Sequence, residues 1–319
     1  MKQGIKRFVR KQLYRIPNSL KINQVDFTSE QLNELELSIN KNCNRPEPGD
    51  KELDAALKNE MNVHLISRLE DDRMHIIPWL SAVKPIKHSK ILEIGCGTGT
   101  STLALAEQGA IVTAIDIDNG ALTVAKDRLR IARQNADFHF ASATEVKGLF
   151  KHLDFDFIIF FASIEHMTIE ERIMSLRDVW SMLKPSSYLV IIESPNRLWY
   201  NDLHTSLLPF FHWLPDELAF MYSKYSSRII FKDSYRDLDE KNMLHFLRMG
   251  RGISFHEFEI AITSISDLNI VSSLDEYEKL DFIKYSRKQL KYISFLRSLK
   301  KGVQKGFCYP YLNIIIKKD

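Results

Sequence analysis

The chain has 319 residues, of which 45% are hydrophobic and 27% charged, the composition of an ordinary globular protein with one large or two smaller domains. Its formal net charge of +3 is too small to indicate a nucleic-acid-binding protein by itself. Cys43, Cys96 and Cys308 are too widely spaced for a metal knuckle or a disulfide framework, and no apolar run has the length of a membrane span or a signal peptide. We therefore expect a reduced, cytoplasmic protein.

Residues 1–81 predict a helical extension rather than a separate domain. Residues 1–50 are polar and contain a break at Pro46-Glu47-Pro48-Gly49, and a helical pattern then runs from Lys51 to about Ser81. We expect this extension to lead directly into the first strand of the main domain.

Both ends of the chain are basic and carry apolar residues between their charges. The basic residues are Lys2, Lys6, Arg7, Arg10, Lys11 and Arg15 at the start, and Arg287, Lys288, Lys291, Arg297, Lys300, Lys301 and Lys305 near the finish. This pattern is typical of an amphipathic helix, which either packs on the protein core with a solvated basic face or lies on an anionic membrane. We favour the first interpretation, because any surface helix is amphipathic, and keep a peripheral position on the inner face of the membrane as the alternative.

A buried strand leads into a glycine turn near the start of the predicted core domain, residues 82–195. Lys90 to Ile94 is a short apolar run with a single acid, Glu93, as in a strand buried on both faces of a parallel sheet. Gly95, Gly97 and Gly99 follow, and a turn without Cβ atoms lets a ligand lie directly against backbone N–H groups. The helix predicted from Thr100 to Gln108 points its N-terminus into this turn.

The next strand, Ile111 to Ile115, ends in Asp116, where a doubly wound α/β domain hydrogen-bonds a ribose diol. A dinucleotide fingerprint would need its third glycine at the position of Thr100. In addition, a carboxylate at Glu93 repels a pyrophosphate but suits a ligand that carries an ammonium and a sulfonium. The sequence therefore predicts a nucleoside-binding half-domain that is not of the dinucleotide type.

Strands and helices continue to alternate after Asp116. The predicted elements are a helix at Gly120 to Gln134, strands at Asp137 to Ala141 and Phe155 to Ala162, a helix at Glu170 to Leu183 and a strand at Tyr188 to Glu193. This alternation predicts an α/β, doubly wound parallel sheet with helices on both faces. Residues 253–319 should complete the sheet with strands at Leu268 to Ser272 and Tyr311 to Lys317.

The segment Glu93 to Gly99 resembles motif I of class I S-adenosylmethionine-dependent methyltransferases, and Asp116-Ile117-Asp118 resembles the acidic end of their second strand. The resemblance implies a seven-stranded, Rossmann-like sheet with an antiparallel last strand and S-adenosylmethionine as the cofactor. It also implies that Asp116 binds both ribose hydroxyls. Where the family has an acid beside an alanine to contact adenine, this chain has Ser142-Ala143, and serine is a weaker acceptor. The cofactor-binding residues predicted in this way are Glu93, Gly95, Cys96, Gly97, Gly99, Asp116, Ile117, Ser142 and Ala143.

The segment Ile164-Glu165-His166-Met167 resembles the Glu-His-Met of many O-methyltransferases, including the quinone-biosynthesis and small-RNA terminal-ribose groups. His166 has the right chemistry for a general base near neutral pH. In those two groups a Glu-x-x-Glu-His pattern holds a divalent metal ion, but Ala162 stands here in place of the first glutamate, so we expect no metal. The structural alternative for Glu165 and His166 is a helix cap and a half-buried ring.

An aromatic insertion, residues 196–252, follows the fifth strand. It is too long for a plain loop and begins at the edge where open α/β sheets bind ligands, so we predict a helical cap over the active site. Most of its rings should pack in a core of their own while a few face the acceptor. Ser254 and Glu257, just beyond it, predict a capping box. Further catalytic candidates are His204, His212 and His256; acceptor-binding candidates are Asn196, Arg197, Trp199, Trp213 and Arg251, the last as a bidentate anion site.

The predicted function is S-adenosylmethionine-dependent O-methylation of a small-molecule or glycan acceptor. The aromatic insertion and the basic ends favour a second interpretation, a lipid or quinone methyltransferase at a membrane surface. RNA ribose methylation is a third, supported by the Glu-His-Met resemblance and opposed by the charge and by the lack of an RNA-binding module. DNA is not expected as a partner. A cofactor-binding module without catalysis would be favoured by loss of the glycine turn or of Asp116, and neither is lost.

Overall fold

The computed structural model describes residues 22–43, 58–228, 231 and 239–319, so the basic N-terminal segment, the Pro46 to Gly49 break and Tyr235 of the insertion lie outside the described residues. The described residues fall into two compact units, one within Met1–Ala143 together with Phe155–Ile158 and the other within Thr144–Asp154 together with Ile159–Asp319. No helix in the described ranges is both long and apolar enough to cross a membrane.

Seven strands form one mixed sheet, as predicted. They are β1 Lys90–Ile94, β2 Ile111–Asp116, β3 Asp137–Phe140, β4 Phe157–Phe161, β5 Tyr188–Pro195, β6 Asn269–Ser273 and β7 Tyr311–Lys317. The strand order is β3-β2-β1-β4-β5-β7-β6. β2 pairs parallel with both β1 and β3, whereas β7 pairs antiparallel with both β5 and β6. The predicted bounds of β1 and β7 are matched residue for residue, and the antiparallel addition is confirmed.

In the first unit, the described part of the N-terminal extension packs against the helix that follows β2. The helices are α1 Ser29–Asn42, a helical stretch over residues 58–83 that includes α2 Arg68–Asp71 and α3 Ile77–Val83, then α4 Thr100–Glu107 and α5 Asn119–Ile131. Leu35 and Ile39 of α1 are fully buried and share an apolar cluster with Val124 and Ile131 of α5. The helix α1 is therefore an integral part of this unit, because its removal would expose that cluster to water.

In the second unit, short helices surround the remaining strands. They are α6 Val146–Phe150, α7 Ile169–Met182, α8 Asp216–Tyr222, α9 Glu240–Arg248, α10 Phe255–Ala261, α11 Leu274–Glu278, α12 Asp281–Lys284 and α13 Arg287–Ser298. A capping box starts α10, in which Ser254 and Glu257 satisfy each other's backbone N–H groups, as predicted.

The insertion has a hydrophobic core of its own. Its buried members are Leu208, Phe211, Ala219, Phe220, Phe231 and Phe246. Phe211 meets both Phe231 and Phe246 edge to face, with ring centroids 6.0 and 5.9 Å apart. The insertion therefore carries structure of its own, and most of its aromatic content is packing.

Candidate active site

The turn after β1 is built on three glycines in the left-handed region, Gly95 (φ 83°), Gly97 (φ 51°) and Gly99 (φ 77°). A side chain at Gly99 would place its Cβ 2.8 Å from the Cβ of Ala125, so this glycine allows α5 to approach the turn. A Cβ at Gly97 would meet no atom within 4 Å. The turn thus exposes bare backbone at Gly97, next to open space that a ligand can fill.

Asp116 closes this turn from the end of β2. Its Oδ2 accepts the backbone N–H of Gly97 at 2.7 Å, and its Oδ1 accepts that of Asp118 at 2.9 Å. Burial raises the pKa of the Asp116 carboxyl above its ordinary value, although these two amides oppose the shift. A carboxylate has about four lone-pair positions, so the two amides leave acceptor capacity for a diol. The exposed side chain of Ile117, the residue after Asp116, offers an apolar surface to a nucleobase.

Glu93 and Cys96 are both buried beneath the turn. The hydroxyls of Ser101 and Thr102 in α4 donate to the two oxygens of Glu93, the second at 2.6 Å, and burial raises the pKa of this carboxyl. Glu93 therefore fastens the first turn of α4 to β1, and its role towards a ligand ammonium stays a prediction. Burial also raises the pKa of the Cys96 thiol, which is neutral as a result.

Arg128, which was not among the residues predicted from the sequence, stabilises the glycine turn. The buried Arg128 guanidinium of α5 donates to the carbonyl oxygens of Thr98 at 2.8 Å, Leu65 at 3.1 Å and His64 at 2.5 Å. Burial lowers the pKa of Arg128 to about 10, so it stays charged at neutral pH.

The adenine-contact candidates Ser142 and Ala143 follow β3. The backbone N–H of Ala141 donates to the carbonyl oxygen of Asp116 at 3.1 Å, and this bond places Ser142 and Ala143 next to the end of β2.

In the second unit, Glu165, His166 and His204 form a cluster. Oε1 of Glu165 lies 3.9 Å from Nε2 of His166 and 4.0 Å from Nε2 of His204. Glu165 is fully buried, whereas both imidazoles are partly exposed. Its Oε2 accepts the Ser194 hydroxyl at 3.1 Å, while Oε1 has no hydrogen-bond partner.

The hydrogen bonds at Nδ1 indicate the tautomers of both histidines. Nδ1 of His166 lies 2.8 Å from the carbonyl oxygen of Arg248, which can only accept, so this nitrogen carries the proton. Nδ1 of His204 lies 3.2 Å from Oγ1 of Thr205, and that hydroxyl already donates to the carbonyl oxygen of Gly250. Burial lowers the pKa of the His204 imidazole despite the attraction of Glu165. In the neutral form of each ring, Nε2 therefore carries the lone pair, and it is the ring nitrogen that lies about 4 Å from Glu165.

Three acceptor atoms thus converge without a donor among the described residues. Oε1 of Glu165 and the two Nε2 atoms lie within 4.8 Å of one another. Such an arrangement calls for a proton donor, a water molecule or a cation, because an unpaired buried acceptor loses its hydration without compensation. Imidazole and carboxylate are also common ligands of divalent transition metals. The donor set therefore fits a divalent cation, although the sequence predicted none.

A second buried arginine supports this cluster. Arg172 of α7 is almost fully buried and donates to four carbonyl oxygens, those of Glu165 at 2.9 Å, Met167 at 3.0 Å, Arg251 at 2.7 Å and Gly252 at 3.2 Å. It joins the Glu165 turn to the end of the insertion. Sequence reasoning missed it because an arginine within an amphipathic helix gives no local signal of burial.

His212, predicted as catalytic, lies outside the cluster and is buried with Asp202. Its Nε2 is 3.3 Å from Oδ1 of Asp202, and its Nδ1 accepts the backbone N–H of Gly252. Asp202 also accepts the backbone N–H groups of His204, Thr205 and Ser206. Burial alone would raise the pKa of Asp202, but His212 and these amides outweigh it and hold that pKa below the ordinary value. The pair shapes the loop that carries His204.

We expect Asp202→Asn to lower the free energy of unfolding by about 3 kcal/mol, because it leaves buried donors and His212 without their anionic partner. Because the pKa of Asp202 is depressed in the folded chain, its contribution is present above roughly pH 4 and is lost as the pH falls towards the folded value. Urea unfolding at neutral and acid pH measures both effects. The control is Asp154→Asn, which removes an exposed carboxylate paired with Lys184. It should change the free energy of unfolding by less than about 0.5 kcal/mol. Equal effects of the two substitutions would contradict this interpretation.

Several other predicted site residues make contacts within the protein. Arg251 donates from its two terminal nitrogens to the carbonyl oxygens of Phe211 and Leu214 and pairs with Asp216 at 3.2 Å, so it braces the insertion where an anion site was predicted. Asn196 donates to the carbonyl oxygens of Phe307 and Tyr309 and is buried. The buried Trp199 packs between Tyr200 and Tyr292. His256 is exposed and stacks on Phe255.

Two acceptor-binding candidates are accessible. Arg197 is half-buried, and no carboxylate in the described ranges lies within ion-pair distance of its guanidinium. Trp213 is exposed and lies 5.0 Å from the ring of Phe210, whose backbone is held at a positive φ of 59°. Large exposed rings on a left-handed backbone are uncommon, and such strain is concentrated at functional sites.

Comparison with known proteins matches the middle of the chain. The family profile described as "Methyltransferase domain" matches residues 91–186. Over 127 residues the chain is 32% identical to the cypemycin N-terminal methyltransferase of a Streptomyces species, which covers 38% of this chain and 48% of that protein. It is 34% identical over 92 residues to the ubiquinone biosynthesis O-methyltransferase of Aromatoleum aromaticum, covering 28% and 38% respectively. The crystal structure of magnesium protoporphyrin IX methyltransferase from Synechocystis with bound SAM aligns at a TM-score of 0.37 and 16% identity, over 54% of this chain and 80% of that chain.

The strand order and the three-glycine turn define an α/β fold with a seven-stranded mixed sheet. Residues 91–186 match the methyltransferase domain family, and the relatives named above are methyltransferases. It spans about half or less of the length of the curated relatives above. The matched residues 91–186 include the glycine turn, Asp116, Glu165 and His166.

Proposed function

We propose that this chain transfers the methyl group of S-adenosylmethionine to a hydroxyl of a small-molecule or glycan acceptor. The observation that carries the proposal is the turn at Gly95, Gly97 and Gly99, with its open side at Gly97 and the Asp116 carboxylate beside it. Bare backbone suits the methionine part of the cofactor, and the carboxylate suits a ribose diol. A pyrophosphate is disfavoured at this turn, because Glu93 and Asp116 are both acids.

In this proposal His166 acts as the general base. The Arg248 carbonyl holds its Nδ1 proton, so Nε2 is free to accept a proton from the acceptor hydroxyl. The acceptor oxygen attacks the methyl carbon as the bond from carbon to sulfur breaks; the products are the methyl ether, S-adenosylhomocysteine and protonated His166. Glu165, 3.9 Å from Nε2, stabilises the imidazolium that forms.

The unpaired Oε1 of Glu165 supports a second candidate, a metal-assisted methyltransferase. Glu165, His166 and His204 are the residues that would hold a divalent cation. When bound there, such an ion would lower the pKa of an acceptor hydroxyl that it contacts. His212 does not belong to this ligand set, since its Nδ1 accepts the Gly252 N–H and its Nε2 lies 3.3 Å from Oδ1 of Asp202.

We expect chelator-treated protein to keep its methyltransferase activity, because a neutral imidazole with a free lone pair can remove the proton unaided. Turnover is measured before and after chelation, and again after addition of magnesium or manganese. Calorimetry with Mn²⁺ on the unmodified chain and on Glu165→Gln is the control that needs no acceptor. Loss of turnover on chelation with recovery on metal addition, together with Mn²⁺ binding that Glu165→Gln abolishes, would replace the base mechanism with the metal-assisted one.

A screen that measures S-adenosylhomocysteine release tests the proposed acceptor class. The panel contains phenols and quinols, sugars, peptide N-termini and RNA oligonucleotides with free terminal riboses. We expect turnover with hydroxyl acceptors, above all those with a ring and an anionic group, because Trp213 and the unpaired Arg197 are accessible. Turnover confined to amines or to RNA would overturn the proposed acceptor class while leaving the cofactor proposal intact.

A further inference from the structure

The helix α13 is anchored by one side only. Ile293 and Leu296 are buried, and the Tyr292 hydroxyl donates to the carbonyl oxygen of Leu198 at 2.8 Å. Lys288, Lys291, Phe295 and Leu299 follow one another at helical spacing on the outer side. Phe295 and Leu299 are 53% and 55% exposed. The helix thus packs on the core, as the sequence favoured, and also presents apolar side chains to solvent among lysines.

The preceding helix α12 adds two further apolar side chains. Phe282 and Ile283 are 89% and 71% exposed, more than any other large apolar side chain in the described ranges. Asp281, the residue before them, pairs with Lys305 and accepts the hydroxyl of Tyr309 at 3.0 Å. The backbone beside Phe282 is therefore held in place, so the exposure of this pair belongs to the folded structure.

A basic cleft of about 340 Å³ lies at the C-terminal end of α13. It is lined by Arg297, Lys300, Lys301 and Lys305, with Glu276 as its acid. Lys300 is neutralised by Glu259, and Lys305 by Asp281. Lys305 pairs with Asp281, the residue before Phe282, so the cleft adjoins the exposed apolar side chains of α12.

Most cations of this surface have no partner. In the described ranges no carboxylate lies within 4.0 Å of Arg287, Lys288, Lys291, Arg297 or Lys301. We call these five residues, together with Phe282, Ile283, Phe295 and Leu299, the basic apolar face. Unpaired cations around exposed apolar side chains are the arrangement by which a protein lies in the headgroup region of an anionic bilayer.

We propose that the basic apolar face docks this protein on an anionic phospholipid membrane, with the lysines and arginines on the headgroups and the four apolar side chains inserted below them. A nucleic acid fits the same charge less well. Bases stack on aromatic rings, but the aliphatic Ile283 and Leu299 offer no stacking surface, whereas both partition into lipid. This proposal goes beyond methyl transfer and does not depend on it.

Vesicle sedimentation of the full chain tests the electrostatic half of the proposal. We expect binding to phosphatidylcholine vesicles that contain phosphatidylserine, no binding to phosphatidylcholine alone, and loss of binding as salt is raised. The double variant Lys288→Glu/Lys291→Glu should weaken binding by about tenfold or more. The double variant Lys126→Glu/Lys151→Glu, which makes the same charge change at two exposed lysines elsewhere, should bind as the unmodified chain does. Equal losses in the two variants, or unchanged binding in the first, would overturn the proposal.

The apolar half is tested by Phe295→Ser/Leu299→Ser, which keeps every charge. We expect this variant to lose most of its binding to anionic vesicles while its circular dichroism spectrum and its affinity for S-adenosylmethionine stay unchanged. Vesicle binding that survives in this variant would show attraction by charge alone and would overturn insertion. Binding of a single-stranded oligonucleotide by the same face, without binding to vesicles, would assign the surface to nucleic acid. Since S-adenosylmethionine affinity is read separately, failure here is distinguishable from failure of the proposed function.

Discussion

His166→Ala is expected to lower kcat by roughly 10²–10⁴-fold, the usual contribution of a positioned general base. The Arg248 carbonyl holds the proton on Nδ1 of this imidazole, so removal of the ring removes the Nε2 lone pair that would accept the proton of the acceptor. The measurement is turnover with the acceptor that the screen identifies, at saturating cofactor. Cofactor affinity should change little, because His166 has no part in the glycine turn.

The matched control is His256→Ala, which removes an exposed imidazole stacked on Phe255. Its kcat should equal that of the unmodified chain. A His166→Ala protein that keeps its kcat would exclude His166 as the base.

Asp116→Ala is expected to weaken S-adenosylmethionine binding roughly tenfold to more than a hundredfold, which corresponds to the loss of charge-assisted hydrogen bonds of about 1.5–3 kcal/mol. The same change also frees the Gly97 N–H, which donates to Asp116 at 2.7 Å. Asp116→Asn separates these effects, since an amide oxygen can still accept the Gly97 N–H while the charge is lost. Calorimetry with S-adenosylmethionine measures both variants.

The exposed Asp137, paired with His139 at the start of β3, provides the control. Asp137→Ala removes a carboxylate from the same unit and should leave cofactor affinity unchanged. Unchanged affinity in a folded Asp116→Ala protein would show that Asp116 does not bind the ribose diol of S-adenosylmethionine.

The local features of the fold could be predicted from the sequence because they depend on neighbouring residues. The run from Lys90 to Ile94 gives β1, and Gly95, Gly97 and Gly99 are the residue type that the observed left-handed backbone favours. The capping box of Ser254 and Glu257 is likewise a four-residue pattern. Such signals need no knowledge of distant parts of the chain.

The supports of the candidate site could not be predicted, because their partners are far away in sequence. Arg172 reaches carbonyl oxygens 80 residues distant, and Arg128 reaches back 64 residues to His64. His212 was a catalytic candidate because of its residue type, but the structure buries it against Asp202. Residue type indicates what chemistry a side chain can perform, whereas burial and partners decide whether it is free to perform it.

The most direct test of the central claim is isothermal calorimetry of the unmodified full chain with S-adenosylmethionine, with NAD⁺ titrated in parallel. We predict one S-adenosylmethionine bound per chain, competition by S-adenosylhomocysteine and no heat from NAD⁺, because the Asp116 carboxylate lies beside the turn and Thr100 stands where a dinucleotide fingerprint has its third glycine. A folded protein that binds NAD⁺, or that binds neither ligand, would contradict the assignment of the glycine turn to S-adenosylmethionine.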